Sequence, residues 1–542
     1  MKEYLHSAFI EAKNKIPELK EIPITFDVPK SIEHGDLSSN AAMLLTKVLK
    51  KNPRVIAQQI IDALDVQDSI IEKIEIAGPG FINFFFTKEH VTKIIKEILA
   101  QKENFGRSNK YNGKKANVEF VSANPTGPLT VGHGRNAVVG DTVANLLEWI
   151  GYEVDREYYF NNAGRQMRVL GDSVKLRYLE ALGDQTNFPE DYYQGDYIKD
   201  IAMQLFIKHG DNLRNDNPES IFKDAAEQEI FFDIKKSLKN LGINHKIFFN
   251  ENTLYEDGKI KKLLRIFKEK NLSYEKDGAV WLKLSELGLT EDKVIVKNTG
   301  EPTYRLPDIA YHAVKLDRGY DLLIDLFGSD HNATYPDVMA GLNAIGYDSS
   351  KIKVLIHQFV TIMDGDDVVK MSTRKANFIT LDELNEEVGS DVVRYFFNMR
   401  NVNSHMIFDL AVAKKQSDEN PVFYLQYAHA RISSILRRVK EEQLEVSINN
   451  LELLTHEDEQ ALLKVLHNFK EEVFSSAENL ETHKLCTFLY DLAGAYHKFN
   501  RTCRILGSEK NLAEARLALA YATMIVIKNG LSILGVSAPE QM

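Results

Sequence analysis

The sequence predicts a multidomain α/β protein with three parts. These are a small α/β domain at the N-terminus, a parallel-sheet domain with a helical insertion, and an all-helical bundle at the C-terminus. The length of 542 residues exceeds what one hydrophobic core usually holds. Strands and helices alternate in the middle of the chain, which is typical of a parallel sheet. From about residue 420 nearly every segment has helical periodicity and few prolines.

The first predicted domain covers residues 1–112. A helix is expected over residues 34–51, with Ser38 or Ser39 as its N-cap, and short strands are expected within 70–86. The run from 100 to 115 is polar and rich in glycine and asparagine, so we interpret it as a linker.

The second predicted domain covers residues 113–415. A strand at 117–121, a helix at 136–151 and a strand at 152–160 give the alternation of a parallel sheet. Residues from about 165 to 290 are predicted to form a long helical insertion, after which the α/β pattern resumes. The third domain, residues 416–542, is predicted to be a helical bundle.

Composition excludes several classes of protein. Two cysteines, Cys486 and Cys503, without a CxxC pattern argue against a disulfide framework and a cysteine zinc site, and fit a reducing cytosol. The net charge of −11 fits poorly with a surface that binds nucleic acid everywhere, but it permits local basic faces. The longest apolar stretch, residues 517–536, contains Tyr521, Lys528 and Asn529, so we expect a buried helix and no membrane span.

The segment FVSANPTGPLTVGHGRNAVVGD, residues 120–141, joins a predicted strand to a predicted helix. Such turns lie at the carboxyl edge of a parallel sheet, where a helix N-terminus binds phosphate. Gly132 and Gly134 allow close approach of a ligand, and His133 can donate a hydrogen bond to phosphate. The segment therefore predicts a nucleotide site; for so short a match, a helix cap beside a tight turn is an equally good interpretation.

A second segment, VVKMSTRK at residues 368–375, follows a predicted strand and the turn DGDD. Its lysines and arginine can close over a triphosphate and neutralise charge that develops there. Taken alone, it is also consistent with a solvated basic loop.

Together the two segments resemble the HIGH and KMSKS elements of class I aminoacyl-tRNA synthetases. The wider context resembles the arginyl-tRNA synthetase family through VEFVSANPTGPLTVGHGRNAVVGD, YRLPDIAYH, LFGSDHNA, KMSTR, YAHARI and LGVSAPEQM. These motifs cover nearly the whole chain in family order. The resemblance implies a Rossmann-like catalytic domain, an N-terminal domain that binds the tRNA elbow and a C-terminal domain that binds the anticodon.

The resemblance also implies an activity and its partners. Members of the family couple ATP to L-arginine, release pyrophosphate, and transfer the arginyl group to tRNA(Arg) with release of AMP. Mg²⁺ is expected with ATP, with no protein metal site predicted, and the protein is expected to be a cytoplasmic monomer.

The resemblance assigns candidate residues to these roles. The catalytic positions are His133, Lys370 and Thr130, and the further ATP contacts are Gly132, Gly134, Asp330, Met371 and Ser372. The HIGH region comprises Ala123, Asn124, Pro125, Thr126, Gly127, Pro128, Leu129, Thr130, Val131, Gly132 and His133.

For arginine, the resemblance indicates Glu119, Asn124, Tyr304, Asp308 and His331. The chemistry agrees, because a guanidinium is a planar fork of five donors that carboxylates and amides match best. Tyr304 and Asp308 are four residues apart and face the same way on a helix, although Pro307 leaves the start of that helix open. Taken singly, Glu119 could be a surface strand acid and Asp308 an acid at a helix N-terminus.

Two positions depart from the family pattern. Thr130 replaces the first histidine of HIGH, and a hydroxyl donates one hydrogen bond but carries no charge. Thr373 replaces the second lysine of KMSKS, and Arg374 or Lys375 could take over its role.

The tRNA-binding candidates are Tyr424, Arg431, Tyr496, Phe499 and Arg501, since aromatic and arginine side chains suit unstacked bases. The aromatic members could equally be bundle core. Two other functions stay open at this point. One is an adenylate-forming ligase that uses no tRNA, and the other is an inactive tRNA-binding paralogue, suggested by Thr130 and Thr373.

Overall fold

The structure is a computed structural model of the whole chain. It describes residues 1–27, 29, 34–329, 333–369, 379–439 and 441–542. The predicted three-part organisation is confirmed: an N-terminal α/β domain, a parallel-sheet domain and a C-terminal helical bundle follow one another along the chain.

The N-terminal domain packs helices on a three-stranded antiparallel sheet of order β1-β3-β2. Its elements are α1 (Lys2–Lys15), β1 (Leu37–Ser39), α2 (Ala41–Leu49), α3 (Pro53–Ala63), β2 (Ile71–Ala77), β3 (Phe81–Phe86) and α4 (Lys88–Gln101).

The helix predicted over residues 34–51 is therefore wrong in its first part. Leu37 to Ser39 pair with β3 as a strand, because Leu37 and Ser39 alternate into the core. The N-cap of α2 is Asn40, and Ser39 supports the helix start by accepting a hydrogen bond from the Ala41 N–H at 3.3 Å. Tertiary pairing here overrides helical propensity.

A five-stranded, fully parallel sheet forms the centre of the second domain, in the order β11-β10-β4-β5-β6. Its strands are β4 (Lys115–Glu119), β5 (Glu153–Phe160), β6 (Ile247–Asn250), β10 (Leu322–Gly328) and β11 (Ile352–His357). The helices of this part are α5 (Val131–Trp149), α6 (Gly164–Ala181), α7 (Asp196–His209), α8 (Lys223–Asn240), α9 (Asn252–Glu256), α10 (Lys259–Glu269), α11 (Arg305–Asp317) and α12 (Tyr335–Ile345). A small antiparallel sheet comprises β7 (Ser273–Lys276), β8 (Ala279–Leu282) and β9 (Lys293–Val296).

The predicted insertion from about 165 to 290 needs a correction. It is helical as far as Asn240 and again in α9 and α10, but Ile247–Asn250 returns to the central sheet as its edge strand beside β5, and β7 and β8 form a hairpin. The short apolar run IFFN fits a four-residue buried strand as well as a helical turn, so periodicity alone could not separate the two.

The chain then forms a second small sheet before the bundle. Its elements are β12 (Val360–Asp364), β13 (Asp367–Val368), α13 (Leu381–Val388), α14 (Ser390–Asn398), β14 (Met406–Asp409) and α15 (Leu410–Ala413). The bundle consists of α16 (Pro421–Arg438), α17 (Glu457–His467), α18 (Phe469–Asn479), α19 (Thr482–Thr502) and α20 (Lys510–Leu534).

Helix α20 is long and apolar enough, by length and composition, to cross a membrane, and it is the one such helix among the described residues. Its most apolar stretch is 78% buried inside the protein. This agrees with the predicted buried helix over residues 517–536, since a core helix of a bundle is apolar on nearly all faces.

Helix α5 packs directly on the end of strand β4, because Gly140 faces the ring of Phe120, the residue after the strand. A Cβ at this position would overlap the aromatic ring, which is fully buried and cannot move aside. Gly140 thus sets the distance between the helix and the strand that form the site described below.

We therefore expect Gly140→Ala to lower the midpoint of thermal unfolding by about 2 to 10 °C, since overpacking a core costs ~1–3 kcal/mol. The matched control is Gly494→Ala in α19, where the nearest atom, the Tyr424 hydroxyl, lies 3.6 Å from the added Cβ. The control should be neutral or stabilising, since alanine is the better helix former. Equal midpoints for the two variants would contradict the assignment of Gly140 as a spacer.

Candidate active site

The central sheet changes direction between β4 and β10. From β4 the chain proceeds to β5 and β6 on one side, and from β10 to β11 on the other. In open parallel sheets this switch point leaves a crevice at the carboxyl ends of the strands, where ligands bind. The predicted site segment begins at this crevice, directly after β4.

The turn after β4 is strained. Val121 and Ser122 have φ of 68° and 44°, a region that non-glycine residues rarely adopt, least of all β-branched ones. The side chain of Asn136 on α5 compensates: its Oδ1 accepts from the Val121 N–H at 2.7 Å, and its Nδ2 donates to the Leu326 carbonyl of β10 at 3.1 Å. The turn is thereby fixed to both neighbouring elements.

Helix α5 begins at Val131, five residues earlier than predicted, and Thr130 is its N-cap. The Thr130 N–H donates to His133 Nδ1 at 3.2 Å, and the Thr130 hydroxyl lies 3.2 Å from the same nitrogen. Because a backbone N–H can only donate, Nδ1 is an acceptor and the imidazole proton resides on Nε2. Burial lowers the pKa of His133, which keeps the ring neutral with Nε2–H available as a donor.

The two glycines of this turn have different functions. A Cβ on Gly132 would meet only the Thr130 hydroxyl oxygen, at 3.7 Å, so the space beside it is open to a ligand. A Cβ on Gly134 would instead lie 2.5 Å from Leu381 Cδ1 of α13. The expectation that Gly134 admits a ligand therefore needs a correction: this glycine lets α13 pack on α5.

Both flanks of the predicted basic loop are attached to this turn. Buried Arg135 donates at 2.9 Å to the carbonyl of Gln358, just before β12, and to those of Asn401 and Ser404, just before β14. On the other flank, the Leu381 N–H donates to the Leu129 carbonyl at 2.8 Å. The predicted residues Lys370, Met371 and Ser372 lie outside the described residues, as do Asp330 and His331.

Three carboxylates converge beside the turn, and we call them the acidic slot: Glu119, Glu251 and Asp308. Glu251 accepts from the Tyr159 hydroxyl at 2.7 Å and from the Tyr255 hydroxyl at 3.4 Å. The pKa of Asp308 is raised to about 7, chiefly by burial; His312 opposes this shift, and the charges of Glu119 and Glu251 contribute to it. Among the described residues, no ion pair or side-chain hydrogen bond reaches the Asp308 carboxylate.

Glu119 also belongs to a second group, the buried charge cluster of Glu119, Asp325, Lys315 and His312. Glu119 and Asp325 are direct partners on the adjacent strands β4 and β10. Lys315 donates to Glu119 Oε2 at 2.7 Å and also to Asp325 Oδ1, and His312 Nε2 lies 2.9 Å from Asp325 Oδ2. Burial raises the pKa of Glu119, although Lys315 opposes the shift.

Of the remaining predicted arginine contacts, Asn124 lies at the crevice and Tyr304 points into solvent. The Asn124 Oδ1 accepts from the Asn161 N–H at 3.0 Å and its Nδ2 donates to Gln166 Oε1 at 2.9 Å. Tyr304 is the N-cap of α11, four residues before Asp308, but its side chain is 82% exposed. Pro307 lies in the first turn of this helix, where proline is tolerated.

Comparison with known proteins supports this arrangement along the whole chain. A profile of the arginyl tRNA synthetase N-terminal domain matches residues 2–86, one of the class I (R) tRNA synthetase catalytic domain matches 94–407, and one of the DALR anticodon binding domain matches 425–542. The arginine–tRNA ligase of Salinibacter ruber is 47% identical over 564 aligned residues, covering 100% of both chains. That of Desulfotalea psychrophila is 48% identical and covers 96% of this chain and 94% of its own length.

The chain belongs to the arginyl-tRNA synthetase family.

Solved structures of the family have the same fold. The arginyl-tRNA synthetase of Thermus thermophilus aligns over 100% of both chains with a TM-score of 0.81 and 22% identity. That of Plasmodium falciparum aligns over 98% of both chains with a TM-score of 0.74 and 18% identity. At these identities the structures establish the fold alone.

The anticodon-domain candidates are only partly surface residues. Tyr496 and Phe499 are fully buried, so the prediction that they contact RNA is wrong. Both continue the apolar stripe of α19 at helical spacing from Leu485, Leu489 and Leu492, a pattern that identifies core. Arg431 and Arg501 are exposed, and Tyr424 is half-buried.

Two further tyrosines, Tyr427 and Tyr490, complete an exposed aromatic face. Tyr427 and Tyr490 are 41% and 44% exposed, and the Arg431 guanidinium lies 5.8 Å from the centre of the Tyr427 ring. Tyr424 contacts Tyr490 with ring centroids 5.1 Å apart. We call Tyr424, Tyr427, Arg431 and Tyr490 the aromatic face.

The sequence prediction also missed Glu251, His312 and Lys315. A signal for the last two was present, because Asp308, His312 and Lys315 have the spacing i, i+4, i+7 of one helical face. Glu251 carries no local signal, since it follows a short strand that was predicted as helical insertion.

The raised pKa of Asp308 predicts a cost in stability that depends on pH. Below the pKa that this carboxyl has in the unfolded chain, it is protonated in both states and its burial does not lower the free energy of unfolding. That free energy falls as pH rises towards the folded-state pKa of about 7, because the buried carboxyl must then ionise. We expect Asp308→Asn, without arginine, to raise the unfolding midpoint at pH 8 by at least about 2 °C. The gain should shrink towards zero near pH 4.

The control is Asp317→Asn, an exposed aspartate at the other end of α11 that accepts from the Tyr347 hydroxyl at 2.9 Å. It should give no gain at pH 8. A loss of stability in Asp308→Asn at pH 8 would show that a cation compensates this carboxylate in the free protein.

Proposed function

We propose that the chain joins L-arginine to tRNA(Arg) in an ATP-dependent reaction that proceeds through arginyl-adenylate and releases pyrophosphate and AMP. One observation carries this proposal. A helix N-terminus with open space beside Gly132 and an acidic slot containing an uncompensated carboxylate lie side by side at the switch point of one sheet.

The adenylation step requires positioning and charge neutralisation rather than a covalent intermediate with the enzyme. The free N–H groups of α5 and the open space beside Gly132 suit an approaching triphosphate. His133 Nε2–H donates to a phosphate oxygen, while Thr130 holds the ring through Nδ1. Thr130 thus orients the histidine rather than replacing the charge of the missing first histidine.

Three further contributions are proposed for the nucleotide. Lys370, with Met371 and Ser372, stabilises the pyrophosphate, and Asp330 contacts the ribose. Mg²⁺ supplies additional charge neutralisation and arrives with ATP. Among the described residues no group of three or more carboxylates, histidines or cysteines has the arrangement of a metal site.

Arginine binds with its guanidinium in the acidic slot. Asp308 and Glu251 accept from the two edges of the planar fork, and Glu119 and Asn124 bind nearer the reacting end. An ammonium group cannot span two carboxylates in this way, so the slot disfavours lysine. Tyr304 and His331 complete the pocket, which requires the exposed Tyr304 ring to turn over the bound side chain.

The tRNA contacts the outer domains. The aromatic face of α16 and α19, with Arg501, binds unstacked anticodon bases, and the N-terminal domain binds the tRNA elbow. The protein acts as a cytoplasmic monomer. These assignments favour a ligase over an inactive paralogue, since a protein that only binds tRNA does not need an acidic slot beside a nucleotide site.

The decisive experiment is aminoacylation of tRNA(Arg) with labelled arginine, together with ATP–pyrophosphate exchange in the presence and absence of tRNA. Arginine should be transferred and lysine should not. Exchange with arginine but no transfer to tRNA would indicate an adenylate-forming ligase of another kind. Binding of tRNA without exchange or transfer would indicate the inactive paralogue.

The slot assignment predicts selective kinetic effects. We expect Asp308→Ala to raise the KM for arginine by about 30- to 150-fold, because loss of one charged hydrogen bond costs ~2–3 kcal/mol. The KM for ATP should change less than about 3-fold. Glu251→Gln should show the same selectivity, and equal effects on both substrates would contradict the assignment.

The aromatic face predicts an effect on tRNA alone. Tyr427→Ala should raise the KM for tRNA(Arg) by about 5- to 150-fold, since stacking of a base contributes ~1–3 kcal/mol. Exchange at saturating tRNA should stay within about 2-fold of the parent rate. The control is Arg265→Ala on α10, whose exposed side chain lies 3.8 Å from Glu269. If both variants bind tRNA like the parent, the face is not the anticodon site.

A further inference from the structure

Two buried cations on α11 have no role in the reaction as proposed above. Lys315 is fully buried and His312 is nearly so, and Lys315 donates a hydrogen bond to Glu119 of the acidic slot. Burying a charge is expensive unless it is paired, so their presence in the interior needs a reason. Their partners are the two carboxylates that face each other across β4 and β10.

The hydrogen bonds of His312 define its charge. Its Nδ1 lies 2.7 Å from the Asp308 carbonyl oxygen, and its Nε2 lies 2.9 Å from a carboxylate oxygen of Asp325. A carbonyl and a carboxylate both accept, so both ring nitrogens donate and the ring is an imidazolium. Burial disfavours this charged form, but Asp325 outweighs it and the pKa of His312 is raised.

The charges of the cluster then cancel. Lys315 and His312 balance Glu119 and Asp325, which leaves Asp308 and Glu251 as the slot carboxylates without a described cation. Lys315 also fixes the orientation of Glu119, because it binds Oε2 while the Ser122 hydroxyl donates to Oε1 at 3.0 Å. His312 fixes the first turn of α11 through the Asp308 carbonyl.

We propose that Lys315 and His312 are positioning residues for arginine. Lys315 holds Glu119 ionised and oriented, and His312 holds the turn that carries Asp308 while favouring ionisation of its carboxyl. Neither touches the substrate. This inference rests on the proposed function of the same site, and it extends that function to two residues beneath the slot.

Charged groups on every neighbouring element act on this cluster. Around Lys315 these are Glu119 on β4, Glu157 on β5, Asp325 on β10 and His312 on α11 itself. Glu157 is separately paired with Arg318, at 2.7 Å. Around Asp308 the groups are Glu119, Glu251, Asp325 and His312, of which only His312 favours ionisation.

The first test is Lys315→Met in the full-length protein, assayed by aminoacylation of tRNA(Arg). Without the lysine, Glu119 and Asp325 share a proton and Glu119 loses its orientation, so the KM for arginine should rise at least about 10-fold. The KM for ATP should change less than about 2-fold.

The matched control is Arg156→Met. Arg156 also bridges two carboxylates, Asp141 at 2.9 Å and Glu148 at 2.6 Å, and its side chain is 15% exposed, but it lies outside the slot. This variant should lower the unfolding midpoint without a selective effect on arginine. If Lys315→Met behaves in the same way, Lys315 is merely structural and the proposal is wrong.

The second test, His312→Gln, stays informative if Lys315→Met fails to fold. Loss of the imidazolium raises the pKa of Asp308, so the acidic limb of kcat/KM for arginine should move to higher pH by about 0.5 to 1 unit. If the acidic limb of the kcat/KM profile does not shift, His312 is not a positioning residue for arginine. The parent protein distinguishes failure of the proposed function from failure of this proposal. If the parent does not charge tRNA(Arg), the proposed function is wrong. If the parent charges tRNA(Arg) and the variants behave like it, only the positioning roles of Lys315 and His312 are wrong.

Discussion

Two carboxylates lie side by side inside a parallel sheet, and the site depends on how they are neutralised. Glu119 and Asp325 are register partners on β4 and β10, nearly or fully buried. Like charges in such a position repel, and desolvation adds to the cost. The compensating charges come from one face of α11, whose residues Asp308, His312 and Lys315 share that face. Packing this helix over the two strands therefore also brings Asp308 to the sheet edge.

The turn that follows β4 is the second constraint. Val121 and Ser122 adopt a left-handed backbone that costs on the order of 1–3 kcal/mol per residue, and side chains from α5 offset that cost. Asn136 binds the turn, and Arg135 binds three carbonyls near β12 and β14. Since Arg135 and Asn136 lie two and three residues after His133, the helix proposed to present the phosphate site also holds the surrounding segments in place.

The same helix joins the catalytic domain to the bundle. Arg394 of α14 donates to Asp141 of α5, to the Leu241 carbonyl and to the Leu534 carbonyl at the end of α20, at 2.6, 2.8 and 2.7 Å. Asn145, one turn further along α5, donates to the Ile533 carbonyl at 2.9 Å. The C-terminal end of the last helix is thus hydrogen-bonded to the helix whose other end carries the proposed nucleotide site.

The sequence by itself determined the class of the fold and the chemistry of the nucleotide turn. Strands and helices were predicted from hydrophobic periodicities of two and 3.6 residues, and the nucleotide turn from the glycines and the histidine after β4. Both signals are local and can be recognised in the sequence alone. The tertiary structure decided which strand lies beside β4, and with it that Asp325 faces Glu119 and that Lys315 and Glu251 belong to the site. It also assigned Tyr496 and Phe499 to the core and Tyr427 to the surface. These facts depend on contacts between residues far apart in the chain. Helical spacing shows which residues share a face, but strand order and the element that each face contacts are decided by tertiary packing.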